Sequence, residues 1–354
     1  MMPSIGELRR DFIASSRDAA PLVSLPVVSG PDSPAGAGAS LFPDEAVAPL
    51  RALGPCTIAI GAFDGFHAGH RALIDAAVRD AHARGMASVA FTFDPDPDVV
   101  VSSRPARRLT CASDRHALLA ASGVDAVASI PFTRDLASLS FDAFLSIMVC
   151  MVCDVRSIHV GSNFRFGRGG TATVADMDAW CSRRGIDVCG HDLVLDDGEP
   201  VSSTRIRTSL RAGDLAPVER ELGRRYLVRG RVQSGRGEGT GMGFPTANIA
   251  VDGSLQLPVE GVYEGLALVR GEVWPAAINV GVPPTFKDRT RSASLEANLI
   301  GFSGDIYDDE ISLVFARRLR GLVEFSSVDE LIRTVLGNIE TVKADFGEKG
   351  VPLV

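Results

Sequence analysis

Long apolar runs are missing from this sequence. No stretch reaches the roughly 18 residues that suggest a membrane span, and the early residues Arg9, Arg10, Asp11, Arg17 and Asp18 break up any apolar signal core. No membrane association is expected, and the expected compartment is the cytoplasm. Positive charge is short as well: 36 Lys and Arg against 44 Asp and Glu give a formal net charge of -8. A global field that draws nucleic acid or an anionic membrane is therefore excluded, and any anionic substrate must be held locally. Aromatic residues make up only 6% of the chain, and no basic stripe interleaves with them, so no nucleic-acid partner is expected. Cysteines are few and scattered. Of Cys56, Cys111, Cys150, Cys153, Cys181 and Cys189, only Cys150 and Cys153 form a CxxC, and it is embedded in the apolar run 147–152. With no second pair or histidine cluster beside them, they read as reduced core thiols rather than a metal or redox site.

What is present is a globular composition, 45% hydrophobic and 23% charged, over 354 residues. That length exceeds the roughly 250–300 residues at which a single core stops growing, so two domains are expected. Residues 1–53 are rich in Ala, Pro, Ser and Gly, notably over 29–40, and read as an extension with a flexible stretch and no visible chemistry. From Cys56 onward, short apolar runs alternate with amphipathic ones. The pattern predicts strands at 57–60, 88–93, 126–130, 157–160 and 187–189, with helices at 71–84, 115–121, 141–149 and 174–184 between them. Such alternation specifies an α/β domain with a parallel sheet over 54–212. Helices at 204–211 and 215–222 follow, with a linker expected at 213–225. Beyond it the texture becomes β, with runs at 227–232, 247–251, 262–269, 273–280, 294–300 and 311–315, and Arg270-Gly271 as a hairpin turn. A small antiparallel β-barrel over 226–354, covered by an amphipathic terminal helix at 328–346, is the expectation.

The first strand runs straight into Gly61-Ala62-Phe63-Asp64-Gly65-Phe66-His67-Ala68-Gly69-His70 and then a helix. This places the segment at the carboxyl end of a parallel strand, where open α/β sheets bind ligands. Glycines let the backbone approach phosphate. His67 and His70 open the helix within one turn, so both can face a triphosphate beside the helix's partial positive charge. In adenylyl transfer the α-phosphate gains negative charge, which imidazole donors stabilise. The plainer alternative is that the two histidines only cap the helix. Ser203 and Thr204, at the start of another helix, offer hydroxyl donors to phosphate or plain N-caps, and Arg207 can add a charge-assisted contact.

The HxGH element with its Phe-Asp-Gly prefix resembles the HxGH nucleotidyltransferases, and the prefix is similar to that of the prokaryotic bifunctional riboflavin kinase/FAD synthetases. Further matches follow in order: 91–95 (Phe-Thr-Phe-Asp-Pro), 160–167 (Val-Gly-Ser-Asn-Phe-Arg-Phe-Gly) and 202–207 (Ser-Ser-Thr-Arg-Ile-Arg). The resemblance spans about 56–346. It implies a Rossmann-like FMN adenylyltransferase domain in which Gly61, Phe63, Asp64, Gly65 and Gly69 line the ATP site, His67 and His70 are catalytic, Asn163 orients flavin nucleotide or ATP, and Ser203, Thr204 and Arg207 hold phosphates. One departure is Asp96, where the family usually has a histidine; a carboxylate near ATP repels phosphate unless a cation lies between.

In the β half, six glycines lie between Gly230 and Gly243, followed by Pro245-Thr246-Ala247-Asn248. Alone, the glycine-rich loop is either a long hairpin connection or a flap whose amides wrap phosphates, with Gly239, Gly241 and Gly243 the ATP-facing candidates. The Pro-Thr-Ala-Asn run resembles the riboflavin kinase signature, which implies that Thr246 and Asn248 supply oxygen ligands to Mg²⁺. A general base must take the proton from the ribityl hydroxyl that attacks the γ-phosphate. Glu296 alternates with apolar neighbours and matches the family's catalytic glutamate; otherwise it is a solvent-facing strand residue. Arg320 would lie beside the flavin. Pro283, Asp308 and Asn338 depart from the usual residues, and Asp308 stands where a tight turn favours glycine. The substrates implied are riboflavin, FMN and ATP. Two other readings stay open: a kinase with an impaired adenylyltransferase domain, and a non-catalytic flavin or nucleotide sensor.

Overall fold

The structure, a computed structural model, describes residues 1–13, 19–26, 42–234, 244–281 and 295–353. These residues form two compact units. One is drawn from Met1–Ala14, Arg107–Thr110 and Ser203–Val354, the other from Ser15–Ala106 and Cys111–Ser202.

The second of these, the α/β unit, is built on six parallel strands: β1 (Leu22–Ser24), β2 (Pro55–Ile60), β3 (Ala87–Phe93), β4 (Ala126–Ile130), β5 (Asp154–Gly161) and β6 (Asp187–His191). Their order across the sheet is β1-β4-β3-β2-β5-β6. The direction of winding reverses at β2 and β5, which makes the carboxyl ends of these neighbours the natural crevice of the fold. The strands read as near-continuous apolar runs because both faces are covered. Cys56, Ile58 and Ile60 of β2 join Val89, Phe91 and Phe93 of β3 in one buried cluster. The intervening Ala59 and Ala90 join Leu73, Ile74 and Ala77 in another. Small residues on that face let the helix Ala68–Arg84 approach closely, and Gly85 stops it in the left-handed conformation at φ 64°. Where one helix was expected at 141–149, an α-helix Phe141–Leu145 passes into a π-helical turn, Ser146–Met151.

In the other unit β9 (Tyr226–Gln233), β10 (Ala247–Ala250), β11 (Gly261–Val269), β12 (Glu272–Val280), β13 (Leu295–Leu299) and β14 (Glu310–Arg320) close into an antiparallel barrel in the order β11-β14-β9-β10-β13-β12, with β12 pairing back onto β11. A short β15 (Val351–Pro352) adds to the start of β12, and β7 (Leu195–Asp196) and β8 (Glu199–Pro200) make a separate two-stranded ribbon in the α/β unit. The expected hairpin joins β11 to β12. Arg270 and Gly271 both have positive φ, 49° and 82°, as a type I′ turn requires. The terminal helix Val328–Phe346 is capped by Ser327 and buries Ile339 and Val342 with Phe244 and Ile300.

One expectation needs refining. The extension 1–53 is not featureless. Its helix Ile5–Asp11 buries Leu8 and Phe12 against Leu227, Leu266, Val273 and Val314 of the barrel. The Asp11 carboxylate accepts from the Arg225 backbone N–H at 2.9 Å and from its guanidinium at 2.7 Å. Residues 22–24 supply β1, and Asp44–Arg51 is a helix. The expected flexible stretch 29–40 lies outside the described residues. The helix Ser203–Ala212 packs with the barrel unit, where Ile206 and Leu210 share a core with Leu215, Val218, Leu222, Tyr226 and Val228.

Candidate functional site

In the α/β unit the segment between β2 and the helix Ala68–Arg84 is a contorted turn. Phe63 and Phe66 adopt positive φ, 54° and 45°, and Gly65 has φ 81°. Side chains rarely accept that backbone region, and such strain collects at functional sites. The turn stacks the rings of His67 and His70, with centroids 3.6 Å apart and planes 19° apart. His67 occupies the N-cap position yet its side chain makes no capping hydrogen bond, so the plain capping alternative fails. Gly69 lies beneath the stack, and a Cβ there would come within 3.2 Å of the His67 ring. Phe63 is fully buried and sets its ring edge-on to His70 at 5.3 Å. A Cβ on Gly61 would meet that phenyl ring at 3.0 Å. Asp64 is buried at 3% exposure.

Burial, then the neighbouring His67 and Arg71 charges, push the His70 imidazole well below its ordinary titration range. His70 is therefore neutral at pH 7, and its buried Nδ1 has no hydrogen-bond partner. A neutral imidazole at a helix N-terminus can still donate one N–H to a phosphate oxygen.

The remaining candidates of this half lie on several other elements. The Thr92 hydroxyl donates to Ala62 O at 3.3 Å, linking the end of β3 to the glycine turn. Arg115, fully buried, donates to Phe93 O at 2.7 Å and stands 3.6 Å from the Asp94 carboxylate. Sequence reading missed Arg115, because nothing in the helix pattern marks an arginine as buried. Asp96 caps the helix Pro97–Val101 and accepts from Asp98 N–H at 3.1 Å. Its carboxylate therefore has a structural partner. Asn163 is exposed in the loop after β5, and its Oδ1 would lie 3.2 Å from a Cβ on Gly161. Ser203, Thr204 and Arg207 open the helix Ser203–Ala212 in the barrel unit, where Arg207 Nε donates to Arg107 O at 2.6 Å.

In the barrel unit the register aligns most of the kinase candidates. Asn248 on β10 lies opposite Glu296 on β13. Glu296 lies opposite Asn279 on β12, Asn279 opposite Val262 on β11, and Val262 opposite Arg320 on β14. Directly paired residues share a face, so Asn248, Glu296, Asn279 and Arg320 belong to one row around the barrel. Glu296 is half-buried between Leu295 and Ala297, both in the core, so the row alternates with the barrel interior. Thr246 is two residues before Asn248 and half-buried. Asn298, unremarked in the sequence, donates from Nδ2 to Pro245 O at 2.8 Å and anchors the approach to β10. Arg320 lies 5.7 Å from the Phe325 ring centroid, and burial lowers its titration range. Asp308 takes positive φ, 63°, where glycine was expected to be favoured. Gly239, Gly241, Gly243 and Pro283 lie outside the described residues.

Comparison with known proteins accounts for both halves. The FAD synthetase family model matches residues 51–205 and the riboflavin kinase model residues 222–346. The bifunctional riboflavin kinase/FMN adenylyltransferase of Escherichia coli strain K12 is 31% identical over 294 residues, 82% of this chain and 93% of that one. Its counterpart in Bacillus subtilis strain 168 is 30% identical over 282 residues, covering 78% and 88%. A solved structure described as a macrolide-efflux protein from Streptococcus pneumoniae superposes with a TM-score of 0.74 at 25% identity, covering 82% of this chain and 94% of that one. Among the described residues, no helix of this chain is long and apolar enough to cross a membrane.

Proposed function

The chain belongs to the bifunctional riboflavin kinase/FMN adenylyltransferase family, and from that membership we propose how its own residues divide the work. It phosphorylates riboflavin to FMN with ATP, then adenylylates FMN to FAD with release of pyrophosphate.

For the second step, an oxygen of the FMN phosphate bonds to the α-phosphorus of ATP as the bond to the bridging oxygen breaks. His67 and His70 donate to the α-phosphate oxygens as negative charge builds there. Gly61, Gly65 and Gly69 let the backbone close on the phosphates, while Phe63 and Asp64 hold the turn from beneath. Asn163, in the loop after β5, orients the flavin nucleotide. Ser203, Thr204 and Arg207 hold phosphates from the helix start. The stacked imidazoles at the helix start carry this half of the reading.

For the first step, Glu296 takes the proton from the ribityl hydroxyl as that oxygen attacks the γ-phosphorus and ADP leaves. Thr246 and Asn248 fit Mg²⁺, because both are neutral oxygen donors beside a carboxylate, and the phosphates would complete the hard oxygen set. Bound there, Mg²⁺ would neutralise charge on the transferred phosphoryl group. Gly239, Gly241 and Gly243 belong to the loop assigned to the phosphates, and Arg320 to the flavin side. The shared row of Asn248, Glu296, Asn279 and Arg320 carries this half. The working compartment is the cytoplasm, and nucleic acid has no part.

The test is to incubate purified protein with riboflavin, ATP and Mg²⁺ and resolve the flavins over time. FMN followed by FAD is expected. FMN without FAD would reduce the α/β unit to a scaffold, as Asp96 suggested, and no product would overturn the enzyme.

A further inference from the structure

At the amino end of the sheet, away from the edge that carries His67 and His70, lies a thiol cluster that the flavin chemistry does not use. Cys56 is the second residue of β2, and its Sγ is 3.2 Å from that of Cys153. Both side chains are buried, Cys56 completely and Cys153 to 4% exposure. The contact has a local cause. Val155 N–H closes a three-residue turn on Cys153 O at 3.1 Å, and the β2–β5 ladder shifts register between Cys56 and Thr57. This brings a residue just before β5 against the start of β2. The sulfurs need to close by only about 1 Å to reach the ~2.05 Å of a disulfide.

A buried pair requires a route for electrons to leave. Cys150, expected to be a core thiol, is exposed. It follows from the π-helical turn Ser146–Met151 and shares with Cys153 a pocket of about 600 Å³ that Arg51, Arg156 and Arg184 also line. Arg51 pairs with Asp44 and Arg156 with Asp154, and Arg184 lies over Trp180. With Arg51 and Arg156 each paired to a carboxylate, Arg184 leaves the pocket with a net positive charge.

We propose that Cys150, Cys153 and Cys56 form a thiol–disulfide relay that ends in a reversible Cys56–Cys153 disulfide, driven by an anionic low-molecular-weight disulfide that docks in the arginine-lined pocket. The Cys150 thiolate attacks one sulfur of the reagent, forms a mixed disulfide and releases the first small thiolate. Cys153 attacks the Cys150 sulfur and releases the second. Cys56 attacks the Cys153 sulfur, which returns Cys150 as a thiol. In sum, two protein thiols and one small disulfide give one protein disulfide and two small thiols, with two electrons and two protons passing to the reagent. The order follows from reactivity. Contact with Cys56 and burial raise the Cys153 thiol well above its ordinary range, so the exposed Cys150 reacts first. The product ties β2 to β5, the two strands whose carboxyl ends carry His67 and Asn163.

The full-length protein is treated with oxidised glutathione, quenched by alkylation at low pH and mapped as peptides without reduction. Titratable thiols are expected to fall from six to four, with a Cys56–Cys153 cross-link that dithiothreitol reverses. Cys150→Ser is expected to slow the cross-link at least tenfold with the same end product. Cys153→Ser is expected to stop at glutathione on Cys150, with a melting curve showing that the variant is folded. A wild-type protein that carries glutathione on Cys150 with no cross-link would overturn the proposal. So would an end product joining Cys150 to Cys153, or a Cys150→Ser rate equal to wild type. The wild-type map stands even if a variant fails to fold.

Discussion

The two units of this chain divide its reactive side chains unevenly. All six histidines and all six cysteines lie in the α/β unit, and all three tyrosines, Tyr226, Tyr263 and Tyr307, lie in the barrel unit. Both units serve phosphate transfer from ATP, yet the groups proposed for it differ: stacked imidazoles at a helix N-terminus in one, a carboxylate and neutral amides on a strand row in the other. The difference follows the chemistry. Adenylyl transfer starts from an ionised phosphate, which needs no base, so the protein supplies donors for the developing charge. Phosphorylation starts from an alcohol, which must lose its proton, so a base is required.

The largest expected effect separates the units outright. Glu296→Gln should lower FMN formation by about 10³-fold, within the range of general-base contributions, and leave FAD formation from added FMN unchanged. Equal losses in both assays would break the contrast. His70→Ala is the mirror experiment: FAD formation should fall by about 10²-fold, as when a donor to a developing oxyanion is removed, with riboflavin phosphorylation intact. Gly69→Ala refines it, because the new Cβ would crowd the His67 ring at 3.2 Å. A loss of about tenfold in kcat for FAD formation is expected from that displacement. In the barrel, Asn298→Ala releases the Pro245 carbonyl, and a KM for ATP raised about fivefold, the worth of one hydrogen bond of about 1 kcal/mol, should appear in the kinase assay alone.

The smallest effect is one of stability. His70, His116, His159 and His191 all titrate below their ordinary range, each chiefly through burial. Below the ordinary value of 6.5 the unfolded chain therefore binds more protons than the folded one, and stability is lost as pH falls. Only the α/β unit has these groups. Trp180 and Trp274 are the two tryptophans and report one unit each. In single-tryptophan variants, the Trp180 melting temperature should drop by roughly 5 °C between pH 7.5 and 5.5, with Trp274 moving less. Equal shifts would show that the histidine asymmetry has no energetic consequence.

Much of this was legible in the residues. The alternation of apolar runs gave five of the six parallel strands, the Arg270-Gly271 turn gave the β11–β12 hairpin, and the HxGH spacing placed two histidines at a helix start. What escaped shares a physical cause. Residues 5–11 and 22–24 are too short to show a period, and their order comes from partners more than a hundred residues away. Arg115 looks like any helical arginine until Phe93 O is beside it. Ile206 and Leu210 announced an apolar helix face but not which core would take it. The site row around the barrel was half visible. Glu296 and Asn248 were chosen one at a time, and only the strand register shows that they are neighbours.

The amino-terminal helix has a consequence for how the chain is made. Leu8 and Phe12 leave the ribosome more than two hundred residues before Leu227, Leu266, Val273 and Val314, the side chains that bury them. At ~5–20 residues per second, this apolar segment waits roughly ten seconds or more for its partners. During that interval the parallel sheet, whose last strand ends at His191, can be completed first. Synthesis order then lets the α/β unit fold first, while the barrel unit must gather segments made before and after it.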